Sequence, residues 1–133
     1  MSTWGEMRRK SAGEIRKEDI YNFQDPSVID AAKLQKMLNT GIVHFKFRKK
    51  AAKGQPFDSG KEREAWGTRV GEVITKIPHG GDCPPKRAGY SIYFDLEKDD
   101  WRAFSDGLLL GVCPKIFTEE EFKELYPLLK EDK

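Results

Sequence analysis

Hydrophobic side chains fall at every second position through residues 42–49, "IVHFKFRK": Val43, Phe45 and Phe47 alternate with His44, Lys46 and Arg48. A period of two is the mark of a half-buried strand. A loop rich in Lys, Gly and Pro separates it from a second strand, "EREAWGTR" at 62–69. There Glu64, Trp66 and Thr68 share one face, and Arg63, Ala65, Gly67 and Arg69 the other. Placing Trp66 in the core turns the basic side chains of both strands outward. Residues 90–96 predict a third strand, with Ile92, Phe94 and Leu96 inward. The charged turn "EKDD" then leads into a return strand, "WRAF". Trp101 and Phe104 stand three apart, so strict pleating cannot bury both, and a β-bulge is expected between them. "GLLLGV" at 107–112 supplies a fifth short strand. Small sheets of this kind remove their exposed edges by closing into a barrel.

Helical spacing replaces alternation on either side of the strands. In "DPSVIDAAKLQKMLNT", residues 25–40, Val28, Ala31, Leu34, Met37 and Leu38 recur on one side. Asp25 is the expected N-cap, Pro26 the first helical residue and Gly41 the stop. At the other end, Thr118 and Glu121 form a capping box, and Phe122, Leu125, Tyr126 and Leu129 form an apolar stripe. Pro127 is expected to kink that helix or end it early. Between the second and third strands, Val70, Val73, Ile74 and Ile77 read as an irregular strand or turn, followed by a long loop, "PHGGDCPPKRAG". The resulting plan is an N-terminal arm (1–24), a helix with a barrel (25–113) and a C-terminal helix (114–133). Trp4, Ile20, Tyr21 and Phe23 in the arm need something to pack on, either the barrel or a partner. Trp4, Tyr21 and Phe23 are therefore the candidate partner-binding residues.

The chain has 133 residues, 35% charged and 38% hydrophobic, which bounds it to one domain with polar extensions. There is no apolar run of membrane-spanning length and no apolar leader at the start, so no membrane partner and a cytoplasmic location are expected. In such a compartment Cys83 and Cys113 read as free thiols. The net charge of +2 says little, but its distribution changes the picture. Residues 42–69 hold eight Lys/Arg against three Asp/Glu, giving +5, so the remainder carries −3.

Three stretches in order, "LQKMLNTGIVHFKFRKK", "REAWGTR" and "IYFDLEKDDWRAF", resemble the small Sm-like, SH3-type β-barrel proteins related to WYL domains. Such proteins occur largely in bacteriophages and prophage-rich bacteria. The resemblance spans roughly residues 30–112 and implies a mainly β fold: a small SH3-like, Sm-like barrel of about five strands with an N-terminal and a C-terminal helix. It implies little about activity, since fold and function are separable. One departure is local. The family's closing turn usually carries glycines where this chain has Asp99 and Asp100, and aspartate tolerates that backbone.

The basic strand face, with its loop, is the first candidate site: Lys46, Arg48, Lys49, Lys50, Lys53, Arg63 and Arg69. Such a patch attracts phosphate backbones by counterion release, and small barrels bind single strands in basic grooves with aromatic platforms. It equally describes a solvated face that protects a sheet edge. Trp101 and Arg102 would stack a base or grip a phosphate; alternatively Trp101 is core and Arg102 pairs with Asp95 or Asp99, which a small barrel favours. His44, His79, Cys83 and Cys113 lack the spacing of a zinc site, and no nucleophile has an orienting partner, so no metal, cofactor or catalytic residue is expected. The glycines of 54–71 form no phosphate loop. A non-enzymatic accessory protein of phage or prophage type, binding RNA or single-stranded DNA through the basic hairpin, follows. The alternative is an adaptor docking a phage or host protein, as a virion component or an inhibitor, through its arm and C-terminal helix.

Overall fold

The computed structural model describes residues 16–57, 59–75 and 83–131. A one-turn helix α1 (Lys17–Tyr21) precedes α2 (Ala31–Leu38), β1 (Ile42–Arg48) and β2 (Glu62–Thr68). A second single turn, α3 (Gly71–Thr75), follows, then the hairpin β3 (Tyr90–Asp95) and β4 (Asp100–Ser105). A 3-10 turn (Asp106–Leu108) leads into β5 (Leu109–Phe117), and α4 (Glu119–Glu131) ends the described chain. The strands form one antiparallel sheet in the order β4-β3-β2-β1-β5. This is a small Sm-like, SH3-like β fold flanked by helices. Its two end strands, β4 and β5, are joined by the 3-10 turn and not by a ladder.

The alternation in β1 marks faces correctly, but both faces are buried. Val43, Phe45 and Phe47 join Ala65, Tyr93, Phe104, Leu109 and Val112, roofed by Leu34 and Leu38 of α2. Ile42, on the opposite face, joins Trp66 and Phe117, and Ile20 of α1 with Leu125 and Leu129 of α4 closes over them. The register sets this division: Phe45 pairs with Ala65, and His44 pairs with Trp66. Trp66 is thus core, but in a second core that excludes Phe45 and Phe47. Tyr93 is the β3 residue that meets Phe45, and Ile92 and Phe94 lie on the other side of that strand.

Several local expectations shift for identifiable reasons. Asp25 caps a turn, accepting from the Ser27 hydroxyl and, at 2.8 Å, from the Ser27 amide; the hydroxyl first and then the amide hold its carboxyl below the usual range. The cap of α2 is Asp30, whose Oδ1 accepts from the Lys33 amide at 2.9 Å. Gly41 is needed for close approach: a Cβ there would stand 2.5 Å from Ile116 Cγ2 and 2.9 Å from the Phe117 carbonyl oxygen. No bulge separates Trp101 from Phe104, because the β3–β4 register runs unbroken from Tyr90↔Ser105 to Asp95↔Asp100. The two rings simply take opposite faces. Register shifts occur instead between β1 and β5. The turn after β3 sets Asp99 at φ +56°, the left-handed conformation expected of it. Thr118 and Glu121 do form the reciprocal cap of α4, at 2.9 and 3.1 Å. That helix runs through Pro127 to Glu131, because the carbonyl left without its donor belongs to Lys123 on the exposed side.

The stretch 16–24, expected to be part of an arm, is built into the sheet. Gln24 and Val112 exchange two backbone hydrogen bonds of 2.9 Å, and Ile20 is fully buried. The Cys113 thiol, pushed up by burial, donates to the Asp19 carbonyl. Phe23 packs on the His44 ring and beneath the Lys46 ammonium, while Tyr21 meets His44 edge-on. Trp4 and His79 lie outside the described residues.

Candidate functional site

The seven basic candidates do not form one patch. Lys46 and Arg48 pair across the ladder with Glu64 and Glu62, whereas Arg63 pairs with Phe47 and so starts from the opposite face. Three of the arginines are already engaged. Arg48 donates to the Gly60 carbonyl at 2.9 Å and stands 3.6 Å from Glu62. Arg69 donates to Gln35 at 2.6 Å, tying β2 to α2. Arg63 binds Asp95, a carboxylate with 0% exposure that also accepts from the amides of Glu97 (2.9 Å) and Lys98 (3.1 Å). Lys46 sits over Phe23, 4.9 Å from the ring centre. An ion pair so enclosed is a structural joint, since losing one partner would strand a buried charge.

What the fold assembles instead is a groove of about 440 Å³ between the end of β1, the β1–β2 loop and the free edge of β4. Arg48, Lys49, Lys50 and Arg63 line it, as expected, while Lys46, Lys53 and Arg69 do not. Arg87 and Arg102 join them from the far side. The floor is aromatic: Phe47, Tyr93 and Phe104, with burial and then the nearby Asp95 pushing the Tyr93 hydroxyl well above its ordinary pKa. Tyr90 stands at the rim with the Arg87 guanidinium 4.5 Å from its ring centre. Phe57, in the β1–β2 loop, lies against Gly107 of the 3-10 turn yet is 61% exposed. No described lining residue is acidic. Among the described residues, no carboxylate lies within ion-pair distance of Lys49, Lys50, Arg87 or Arg102.

Phe57, Arg87, Tyr90 and Arg102 come from separate segments, so their convergence was not legible from spacing. Only the adjacency of cation and ring in "RAGY" and "WR" points toward it. Trp101 is half-buried with its ring edge-on to Phe94, 5.5 Å between centres, as a packing residue. Arg102 does not take Asp95, because Arg63 holds that carboxylate.

A second hollow, of about 700 Å³, opens on the other side of Arg63. Glu62, Glu64 and Glu97 surround it, with Tyr21, Trp66 and Tyr126 as walls. Below it His44 is buried, its ring stacked on Trp66 at 4.2 Å between centres. Its Nδ1 lies 2.6 Å from the Ile20 carbonyl oxygen and its Nε2 3.1 Å from Glu64. A stacked, doubly bonded imidazole in a wall is a packing element. Tyr126 donates to Glu97 at 2.8 Å, and its hydroxyl is pushed up to about 12, chiefly by burial and then by that bond. Both cysteines are free, and the described residues contain no cluster of metal-ligating side chains. No described helix is long and apolar enough to cross a membrane.

A five-stranded antiparallel sheet with a helix before it and a helix after it defines a small Sm-like β-barrel protein. The chain belongs to the WYL_2 family, whose description is an Sm-like SH3 beta-barrel fold and whose model matches residues 31–107. That span contains every cationic and aromatic residue singled out in the groove. No curated protein and no solved structure matches the chain.

Proposed function

We propose that this is a non-enzymatic accessory protein of phage or prophage type that binds single-stranded nucleic acid in the groove beside β4. One observation carries the proposal: among the described residues, six cations and five aromatic rings line the groove with no carboxylate among them. Single-strand binders use this combination, a cationic track for the phosphates and rings on which bases stack whatever their identity. Lys49, Lys50, Arg87 and Arg102 supply the uncommitted charge. Phe57 supplies an exposed ring, and Tyr90 a half-buried one already stacked by the Arg87 guanidinium. Arg63 shapes the groove through Asp95. A cationic site of four residues gives an expected log–log salt slope of about −3, from roughly −0.7 per phosphate neutralised on single strands.

The test is a titration of fluorescently labelled single-stranded RNA and DNA at several salt concentrations. Lys49→Glu/Arg102→Glu is expected to abolish binding, while Lys46→Glu/Lys53→Glu leaves it nearly unchanged, because Lys46 and Lys53 lie outside the groove. Absence of binding by the unmodified protein at low salt, or equal binding to polyglutamate, overturns the proposal. In that event the adaptor role takes precedence, with the half-exposed Tyr21 ring as its best-supported contact.

A further inference from the structure

The groove runs along a strand edge, and the backbone of that edge is its least expected lining. Four consecutive residues, Arg102 to Ser105, face it. Consecutive residues of a strand point their side chains to alternate sides, so what all four share is the main chain. Among the described residues β4 ends the sheet, with β3 as its only ladder partner. In an antiparallel pair, residues alternate between exchanging hydrogen bonds with the partner and turning both backbone groups away from it.

The phase of that alternation is fixed at both ends of β4. Asp106 donates its amide to the Gly89 carbonyl at 2.9 Å, so Phe104 and Arg102, two and four residues back, also face β3. Trp101, out of phase with them, sends its amide to the Asp100 side chain at 2.8 Å. The far side of β3 agrees: Leu96 donates to Trp66 at 2.9 Å, which turns the Phe94 backbone toward β2. Ala103 therefore directs both its N–H and its C=O out of the sheet, on the groove side. Its methyl side chain leaves them uncovered.

We infer that the main chain of Ala103 is the base-contacting element of the groove, presenting a donor and an acceptor to the edge of a base stacked on the rim. The inference rests on the nucleic-acid reading above and adds the atoms that distinguish a base from a bare phosphate chain. Every nucleobase edge carries a donor or acceptor for one of these two groups, so the contact favours bases over anions without strong sequence preference.

Ala103→Pro replaces the donor with a ring carbon, and the strand tolerates it because the N–H faces away from the sheet. Binding is measured to a short single strand and to an abasic strand of equal length. The variant is expected to lose about two- to tenfold in affinity for the normal strand, the scale of one neutral hydrogen bond, and nothing for the abasic one. Stacking on Phe57 and Tyr90 is unchanged by the substitution and cancels from the comparison. Hydrogen exchange on the unmodified protein gives a second readout independent of the variant's folding. The Ala103 amide should be protected by the normal strand and not by the abasic strand. Equal losses on both strands, no loss on either, or an Ala103 amide that exchanges unchanged in the complex overturns the inference while leaving groove binding in place. Failure of the unmodified protein to bind either strand overturns the nucleic-acid reading itself.

Discussion

Two hollows flank Arg63, and they differ in sign. Among the described residues, the groove beside β4 is lined by six cations and no acid, and the hollow beneath α4 is ringed by Glu62, Glu64 and Glu97. Both are built from the same hairpin, the one with a summed charge of +5. The difference teaches that a charge window says how much charge is present and not where it goes. Along β1 and β2 the cations alternate with acids of the partner strand, and register matches them: Arg48 to Glu62, Lys46 to Glu64. Beyond the end of the ladder, at Lys49 and Lys50, no acid among the described residues stands opposite, and the charge stays available. Arg63 borders both hollows because its guanidinium is anchored on Asp95.

Removing that anchor should have the largest effect on the comparison. Arg63→Met leaves a fully buried carboxylate without its cation and is expected to cost about 3–5 kcal/mol. Chemical denaturation measures it, and a loss below about 1 kcal/mol would mean that Arg63 is a groove residue first. Trp66→Ala should destabilise by a similar amount, about 3–5 kcal/mol, since it empties the second core. The amide protection lost first should lie at α1 and α4, with β3–β4 retaining theirs longer. By contrast Lys49→Met or Arg87→Met should change stability by no more than about 0.5 kcal/mol, as for exposed side chains. Each should reduce the salt slope of nucleic-acid binding by about 0.7. A variant that destabilises without altering the slope would erase the distinction between joint and contact.

The smallest expected effect belongs to the acidic hollow. Tyr126 ionises near 12 in the fold, against about 10 for an unfolded tyrosine. A raised value favours the protonated phenol in the folded state. Its contribution is therefore whole below pH 10 and is lost as pH climbs toward 12. Tyr126→Phe should flatten the fall in stability over that window, and an unaltered profile would place the tyrosine outside the hollow's hydrogen bonding.

The sequence made the family, the five strands and the C-terminal helix readable, because each rests on a local period or cap. The facing of Trp66 was not readable. Alternation groups residues into two sets, but it names the buried set only when one side of a sheet meets water. Here α1 and α4 cover the second side, and Ile20, placed in an arm by its polar neighbours, is one of the residues that cover it. The site was half legible for a related reason. Lys49 and Lys50 sit together in the chain, whereas Arg87, Tyr90 and Arg102 reach them only through the β3–β4 hairpin. Asp95 and Asp99 stand nearest Arg102 in sequence as pairing partners, yet the fold gives Asp95 to Arg63, thirty-two positions away.

The placing of β1 inside the sheet has a consequence for how the chain is made. β1 holds β2 on one side and β5 on the other, and its first residue, Ile42, pairs with Phe117. A nascent chain emerging from the ribosome can form the β1–β2 hairpin early, yet β1 lacks its second ladder and most of its cover until translation has passed residue 117. Contacts so distant in sequence form late and slowly. Until then the apolar positions of β1 lack most of their cover, and the unfinished sheet presents unpaired strand edges to other nascent chains.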